Sequence, residues 1–154
     1  MQYCEKYESP LGTLWLTGNE GALTGLSFEE KTGDVPPPDG FDPVKKWLDA
    51  YLRGEAVQPV FSMEPKGTPF QKLIWQLLLE IPYGKTRTYG DLAREAARML
   101  GKEKMSAQAV GQAVGRNPVA IIIPCHRCVG AGGKLTGYAY GVERKAWLLR
   151  HEQL

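Results

Sequence analysis

The stretch Val119-Ala120-Ile121-Ile122-Ile123-Pro124-Cys125-His126-Arg127 passes from an unbroken apolar run to a proline and then to three reactive or ionisable side chains. A run of this kind reads as a buried strand or extended segment. Its abrupt end delivers a cysteine to the edge of a hydrophobic core. Upstream the pattern is helical. Thr68 is placed to cap a helix whose first residue is Pro69, and Phe70, Leu73, Ile74, Leu77 and Leu78 form its apolar stripe. Ile81-Pro82-Tyr83-Gly84 stops that helix. A second helix runs from Tyr89 or Asp91 to Leu100, and Gly101-Lys102-Glu103-Lys104 breaks it. A third, from about Ser106 to Val114, is made of small residues: Ala107, Ala109, Gly111, Ala113. Two short helices joined by a loop are the frame of a helix-turn-helix, and small residues let the second approach another backbone. Downstream come the loop Gly130-Ala131-Gly132-Gly133 and a closing helix from about Val142 to Glu152.

Residues before this region read differently. Thr13 to Thr17 and Ala22 to Phe28 are strand-like, and Gly18-Asn19-Glu20-Gly21 between them suits a hairpin turn. Tyr3 to Tyr7 adds a third strand. Lys31 to Asp39, with three prolines, is a loop, and a helix follows from about Pro43 to Arg53. A candidate strand at Val57–Phe61 sits in the mixed segment 54–67, where the domain boundary falls. The reading is an α+β chain with domains at 1–62 and 67–154.

Composition narrows the class. A chain of 154 residues holds one ordinary domain or two small ones. No apolar run approaches the roughly 18 residues of a membrane span, and the start lacks a signal peptide's apolar stretch. Three cysteines argue against a disulfide-stapled secreted domain. The net charge of +2 hides an asymmetry. Residues 1–65 carry five Lys and Arg against eleven Asp and Glu, while residues 66–154 carry fourteen against six. The resulting −6 and +8 point to a second half that meets a polyanion.

The chemistry concentrates at Cys125. A thiolate is the nucleophilic form of cysteine, and His126 and Arg127 are neighbours that lower a thiol pKa or accept its proton. Adjacent residues rarely point the same way, so His126 reaches the thiol through water, with Glu152 a candidate to orient the imidazole. A buried structural cysteine is the alternative. Cys125 and Cys128 also spell a C-x-x-C, the pattern of thiol redox proteins or half a zinc site. Zinc needs about four ligands, and only His126, His151 and Cys4 remain. Trp75 and Trp147 are read as core, and Arg127 as structural, with Asp42 a candidate partner.

These residues carry a resemblance to a known family. The run Asn117-Pro118-Val119-Ala120-Ile121-Ile122-Ile123-Pro124-Cys125-His126-Arg127 resembles the active-site signature of the DNA repair alkyltransferases, the methylated-DNA–protein-cysteine methyltransferases. Thr68-Pro69-Phe70-Gln71, Ile81-Pro82-Tyr83-Gly84, Thr88-Tyr89-Gly90-Asp91, Gly137-Tyr138 and Val142-Glu143-Arg144-Lys145 recur in order, with Trp147-Leu148-Leu149 and His151-Glu152 at the end. The resemblance covers residues 67 to 152. It implies a ribonuclease H-like N-terminal sheet-and-helix domain and a mostly helical, winged-helix-like C-terminal domain with a helix-turn-helix. Cys125 would take the alkyl group from O6 of a damaged guanine, with alkylated thymine open as a second substrate, and be consumed in one turnover. His126 would act as base through water, oriented by Glu152, with Asn117 bracing the turn. Tyr89 would help rotate the nucleotide out and donate a proton to the leaving guanine. Tyr138, Cys128, Ala139 and Tyr140 would line the pocket, with Lys145 close by. Ser106, Gln108 and Ala109 would begin a recognition helix lying in the minor groove of double-stranded DNA. No cofactor, metal or membrane is implied, and the expected state is a monomer in the cytoplasm, associated with the nucleoid when on DNA. A non-catalytic lesion-binding relative is the runner-up, against which the intact Cys125 argues.

The chain departs from the family pattern at several positions. Gln108 stands where an arginine finger is usual, and Lys102 and Lys104 lie in a loop longer than expected. Cys128 replaces a small aliphatic residue, which admits a Cys125–Cys128 disulfide. Tyr140 replaces a glycine at the pocket rim.

Overall fold

The computed structural model describes residues 2–32 and 40–153. Most of the proline-containing loop expected between Lys31 and Asp39 therefore lies outside the described residues. The chain divides into two compact units, one formed by residues 1–66 with 118–120, the other by residues 67–117 with 121–154.

The first unit is a three-stranded antiparallel sheet, β1 (Tyr3–Ser9), β2 (Gly12–Gly18) and β3 (Leu23–Ser27), in sequence order, followed by α1 (Asp42–Leu52). Alternation buries Leu14 and Leu16 of β2 and Leu23 of β3, while α1 buries Val44, Trp47, Leu48 and Tyr51 at helical spacing. The β2–β3 turn forms where expected: Asn19 Oδ1 accepts from the amides of Gly21 and Ala22, each at 2.9 Å. Val57–Phe61 is not a strand. The pairing falls instead at Met63, where the Leu23 amide donates to the Ser62 carbonyl and Glu64 donates back to Leu23. Pro59 has no amide to give a ladder, which is why this segment pairs only beyond it.

Residues 118–120 are the other edge of that sheet. The Leu26 amide donates to the Pro118 carbonyl at 2.9 Å, and the Ala120 amide donates to the Leu26 carbonyl at 2.8 Å. This single bridge is all that the apolar run contributes as strand. Val119 to Ile123 is buried throughout, as its composition demands. Past Ala120, however, the backbone turns. Ile121 adopts a φ of +67°, the only non-glycine among the described residues with positive φ. A β-branched side chain in that region costs about 1–3 kcal/mol, and burying Ile121 offsets a strain of that order.

The second unit is helical. α2 (Pro69–Leu79) and α3 (Tyr89–Leu100) each open with a complete capping box, Thr68 with Gln71 and Thr88 with Asp91. α4 (Ala107–Gly115) is capped by Ser106, whose hydroxyl accepts from the Ala109 amide at 3.2 Å. Gly101 ends α3 in the left-handed conformation. α3 and α4 form the helix-turn-helix pair, with α2 against both. Trp75 is buried and donates its indole N–H to the Ala113 carbonyl at 2.8 Å, tying α2 to α4. A short parallel ladder joins β4 (Arg87–Thr88) to β5 (Cys128–Val129), and α5 (Val142–His151) closes the unit. Trp147 is half-buried rather than core, stacked on the His151 ring with centroids 4.8 Å apart. Among the described residues no helix is long and apolar enough to cross a membrane.

The α2 capping box gives a direct stability test. Thr68 Oγ1 accepts from the Gln71 amide at 3.1 Å, and Gln71 Oε1 accepts from the Thr68 amide at 2.9 Å. Thr68→Ala breaks the first bond and should cost about 1 kcal/mol, read as a lower urea midpoint with an unchanged slope.

Candidate active site

Cys125 does not leave a strand. It opens a 3₁₀ turn, Cys125–Arg127, between the tight bend at Ile123 and β5. Three hydrogen bonds fix the turn. The Cys125 amide donates to the Ile123 carbonyl at 2.8 Å and the Arg127 amide to Pro124 at 2.9 Å, while the Cys128 amide donates to the Cys125 carbonyl. Asn117 braces it from the end of α4: its Nδ2 donates to the Ile123 carbonyl at 2.8 Å, and its side chain also bonds the Cys125 thiol. Tyr138 lies close enough to the same thiol to pull its pKa down.

Burial pushes the Cys125 thiol above its ordinary pKa, against the opposing pull of Asn117, the Lys145 charge and Tyr138. The expected thiol-lowering pair is therefore not what surrounds the sulfur. Arg127 faces the other way, and the cation that acts on Cys125 is Lys145. Lys145 is itself buried, and burial lowers its pKa. Its Nζ donates to the Thr136 carbonyl at 3.0 Å and sits 5.8 Å from the centre of the Tyr89 ring. The Tyr89 hydroxyl donates to the same Thr136 carbonyl at 3.1 Å. Burial, with the two nearby thiols adding to it, pushes the Tyr89 phenol up to about 12. Cys128 is likewise pushed up to about 12 by burial. Both Cys125 and Cys128 are free thiols.

Behind the thiol lies a fully buried polar cluster. His126 Nε2 and Glu152 Oε2 are 2.7 Å apart. Arg127 grips the same carboxylate with two donors, Nε to Oε1 at 2.9 Å and Nη2 to Oε2 at 3.1 Å, and donates Nη1 to the Ile81 carbonyl at 2.8 Å. The Gly84 amide supplies a fourth donor to Glu152, 3.0 Å from Oε1. Arg127 thus finds its carboxylate partner within its own unit, in Glu152, whose two oxygens meet the guanidinium fork. Burial lowers the His126 pKa, with Glu152 pulling it back up, and the net direction is a neutral imidazole. A carboxylate with no hydrogen of its own to give must accept from Nε2–H. Nδ1 therefore carries the free lone pair, and this buried atom has no hydrogen-bond partner among the described residues.

The remaining expected residues fall into two groups. Cys125, His126, Glu152, Asn117, Tyr89, Tyr138, Lys145 and Cys128 share one cluster. Tyr140 is half-buried beside it, its ring edge-on to Tyr138 with centroids 5.6 Å apart, and Ala139 between them is exposed. Ser106 and Gln108 are exposed at the start of α4, and Ala109 is half-buried. Gly111 joins the groups, since a Cβ there would touch the Tyr89 ring at 3.8 Å. Sequence reasoning missed three participants: Gly84, the Ile81 carbonyl and the Thr136 carbonyl. The first two lie in Ile81-Pro82-Tyr83-Gly84, read only as a helix stop. Gly84 has φ +78°, and a Cβ there would lie 3.3 Å from the Glu152 carbonyl oxygen. That conformational requirement was the available signal.

Comparison with known proteins bears on both units. Residues 69–154 match the DNA-binding domain of 6-O-methylguanine DNA methyltransferase, and residues 2–62 match its ribonuclease-like domain. A methylated-DNA–protein-cysteine methyltransferase of Methanosarcina acetivorans is 43% identical over 157 residues, spanning 97% of this chain and 97% of that protein. Another, from Mycobacterium tuberculosis, is 43% identical over 95% of this chain and 89% of its own. The crystal structure of Mycobacterium tuberculosis OGT in complex with DNA aligns with a TM-score of 0.86 at 42% identity, covering 98% of this chain and 92% of that one.

The neutral imidazole has a consequence for stability. Folding holds the His126 pKa below its ordinary 6.5, so the unfolded chain binds a proton that the folded one resists. The stability tied to this group is complete above the unfolded value and is lost as pH falls below it. Unfolding free energies of wild type and His126→Gln should therefore converge as pH drops from about 7 to about 5. Parallel pH curves in urea titrations would show that the imidazole is not buried neutral.

Proposed function

The chain belongs to the 6-O-methylguanine DNA methyltransferase family, and from that premise we propose that it repairs DNA by irreversible alkyl transfer from O6 of guanine to Cys125. The observation that carries the assignment to this residue is the buried thiol held by Asn117, with Tyr138 close by, beside a neutral imidazole whose Nδ1 is free to accept a proton.

The steps follow from the geometry. A thiol raised by burial is protonated at neutral pH, so a base is needed to generate the nucleophile. His126 takes the proton at Nδ1 through a bridging water, and its Nε2–H stays on Glu152. The sulfur attacks the alkyl carbon, the carbon–O6 bond breaks, and the bonding electrons leave with the guanine. Tyr89, whose phenol keeps its proton at neutral pH, donates it toward the departing base, and the nearby Lys145 ammonium offsets the phenolate charge. Asn117 and Tyr138 stabilise negative charge on sulfur as it develops. The thioether product resists water, so each molecule acts once.

A base inside a duplex cannot reach a buried sulfur, so the nucleotide must be extruded at a cost of a few kcal/mol. The start of α4, where Ser106 and Gln108 are exposed and Ala109 is half-buried, is the part proposed to enter the minor groove. The +8 charge of the second half draws it to phosphate. Ala139 and Tyr140 form the rim of the base pocket beside Tyr138. The cytoplasm, with the nucleoid as site of action, is the proposed location, and the monomer the proposed working state.

Incubation with a duplex carrying 6-O-methylguanine, followed by intact mass and peptide mapping, tests the assignment. One methylene's mass should appear on the Cys125 peptide, with one equivalent transferred per molecule. Reduced protein that binds the lesion yet gains no mass would sink it. Gln108→Arg should tighten duplex binding at matched salt by adding a cation at the tip of α4. Unchanged affinity would remove Gln108 from the interface.

A further inference from the structure

Arg127 is more thoroughly engaged than a packing residue needs to be. Its guanidinium covers both oxygens of Glu152, reaches the Ile81 carbonyl, and lies 5.6 Å from the centre of the Tyr83 ring. It belongs to the same 3₁₀ turn as Cys125 and His126. The charged and titratable groups facing His126 are Glu152 at the end of α5, Arg127 in its own turn and Lys145 on α5. Of the two cations, Arg127 is the one bonded to the carboxylate that His126 also holds.

We propose that Arg127 is a positioning residue that dictates which ring nitrogen of His126 carries the hydrogen, and so keeps Nδ1 open to the Cys125 proton. The inference rests on the alkyl-transfer reading above. With Arg127 in place, the Glu152 negative charge is matched by a permanent positive one. The pair is neutral, so the imidazole adds no charge to a buried site by staying uncharged. Its single hydrogen sits on Nε2, pointed at the carboxylate.

Removing the guanidinium leaves a buried carboxylate without a balancing charge. An uncompensated buried charge is costly, and the cluster relieves it by taking up a proton in one of two places. On the ring, the proton produces an imidazolium with hydrogens on both nitrogens. On Glu152, it produces a carboxylic acid that donates to Nε2, which moves the ring hydrogen to Nδ1. Both outcomes place a hydrogen on Nδ1. Either way the base is lost although Cys125, His126 and Glu152 are all present. Arg127 thus acts on the reaction through the proton inventory of its neighbours, without touching the reacting atoms.

The test compares wild type, Arg127→Met and Arg127→Lys in single-turnover methyl transfer from a 6-O-methylguanine duplex across pH. Because each molecule accepts once, the endpoint counts folded acceptors and the rate constant reads chemistry in those that remain. Arg127→Met should be slower per acceptor by about a hundredfold near neutral pH, the lower range of general-base contributions. Its rate should recover toward alkaline pH as the extra proton leaves. Arg127→Lys retains the charge and should keep a near wild-type pH profile. Nitrogen-15 spectra of histidine-labelled protein should show Nδ1 without a hydrogen in wild type and with one in Arg127→Met. A Met variant with the wild-type rate per acceptor and an unshifted profile overturns the proposal, as does a Lys variant with the Met profile. If wild type itself accepts no methyl group, the alkyl-transfer reading fails, while the spectra still decide where the hydrogen sits.

Discussion

The carboxylate of Glu152 is the constraint to which the site is built. It is a buried negative charge, and such a charge persists only when it is paired and its oxygens are filled. Here four donors converge on it: the His126 imidazole, two from Arg127 and the Gly84 amide. Those donors come from the loop after α2 and the turn before β5, while the acceptor ends α5. One charge therefore fixes three chain segments relative to one another. Gln153 adds a bond from its Nε2 to the Gly84 carbonyl at 2.8 Å, so the end of α5 holds that loop from both sides of one glycine. The catalytic geometry is a by-product of satisfying this ion.

That arrangement resolves a tension in the site. The nucleophile is most reactive as a thiolate, yet it lies in a core that resists charge. Lowering its pKa would need cations against the sulfur, and one buried lysine is already costly. The fold instead leaves the thiol protonated and keeps a neutral base beside it. Charge then appears on sulfur only as the proton leaves, with Asn117 already bonded and Tyr138 close by to receive it. Preorganised donors of this kind stabilise developing charge without reorganising at the moment of reaction.

Much of this was legible in the sequence, for identifiable reasons. Helices announced themselves through starts, stripes and breaks: Thr68 and Pro69 ahead of Leu73, Ile74, Leu77 and Leu78, and Gly101 after Leu100. The strands of the first unit followed from alternation and the turn residues at Asn19 and Gly21. The path of residues 119–123 was not legible, because an apolar β-branched run carries the same pattern whether it extends or turns, and the turn depends on a strained Ile121 that no local preference favours. Individual candidates at the site could be picked out by residue type and family likeness. The His126–Glu152 pair and the Asn117 brace were among the expectations, but the partner of Arg127 was not. Arg127 has several carboxylates within conceivable reach in sequence, and only the folded chain shows that Glu152 has its two oxygens placed to receive the fork. Carbonyl oxygens such as those of Ile81 and Thr136 are invisible to any reading of side chains.

The contribution of residues 118–120 to the first unit bears on the order in which the protein is made. During synthesis the strands of that unit and its helix are made before residues 118–120, so the edge amide and carbonyl of Leu26 lack these partners until that later segment has been translated. The nascent sheet spends that interval with an unsatisfied edge, the state most open to pairing with a neighbouring chain. Its completion coincides with the arrival of Pro124 and Cys125 a few residues later. The segment that completes the scaffold's edge and the segment that carries the reactive thiol are thus one continuous stretch of chain, and a truncated chain ending before Asn117 possesses neither.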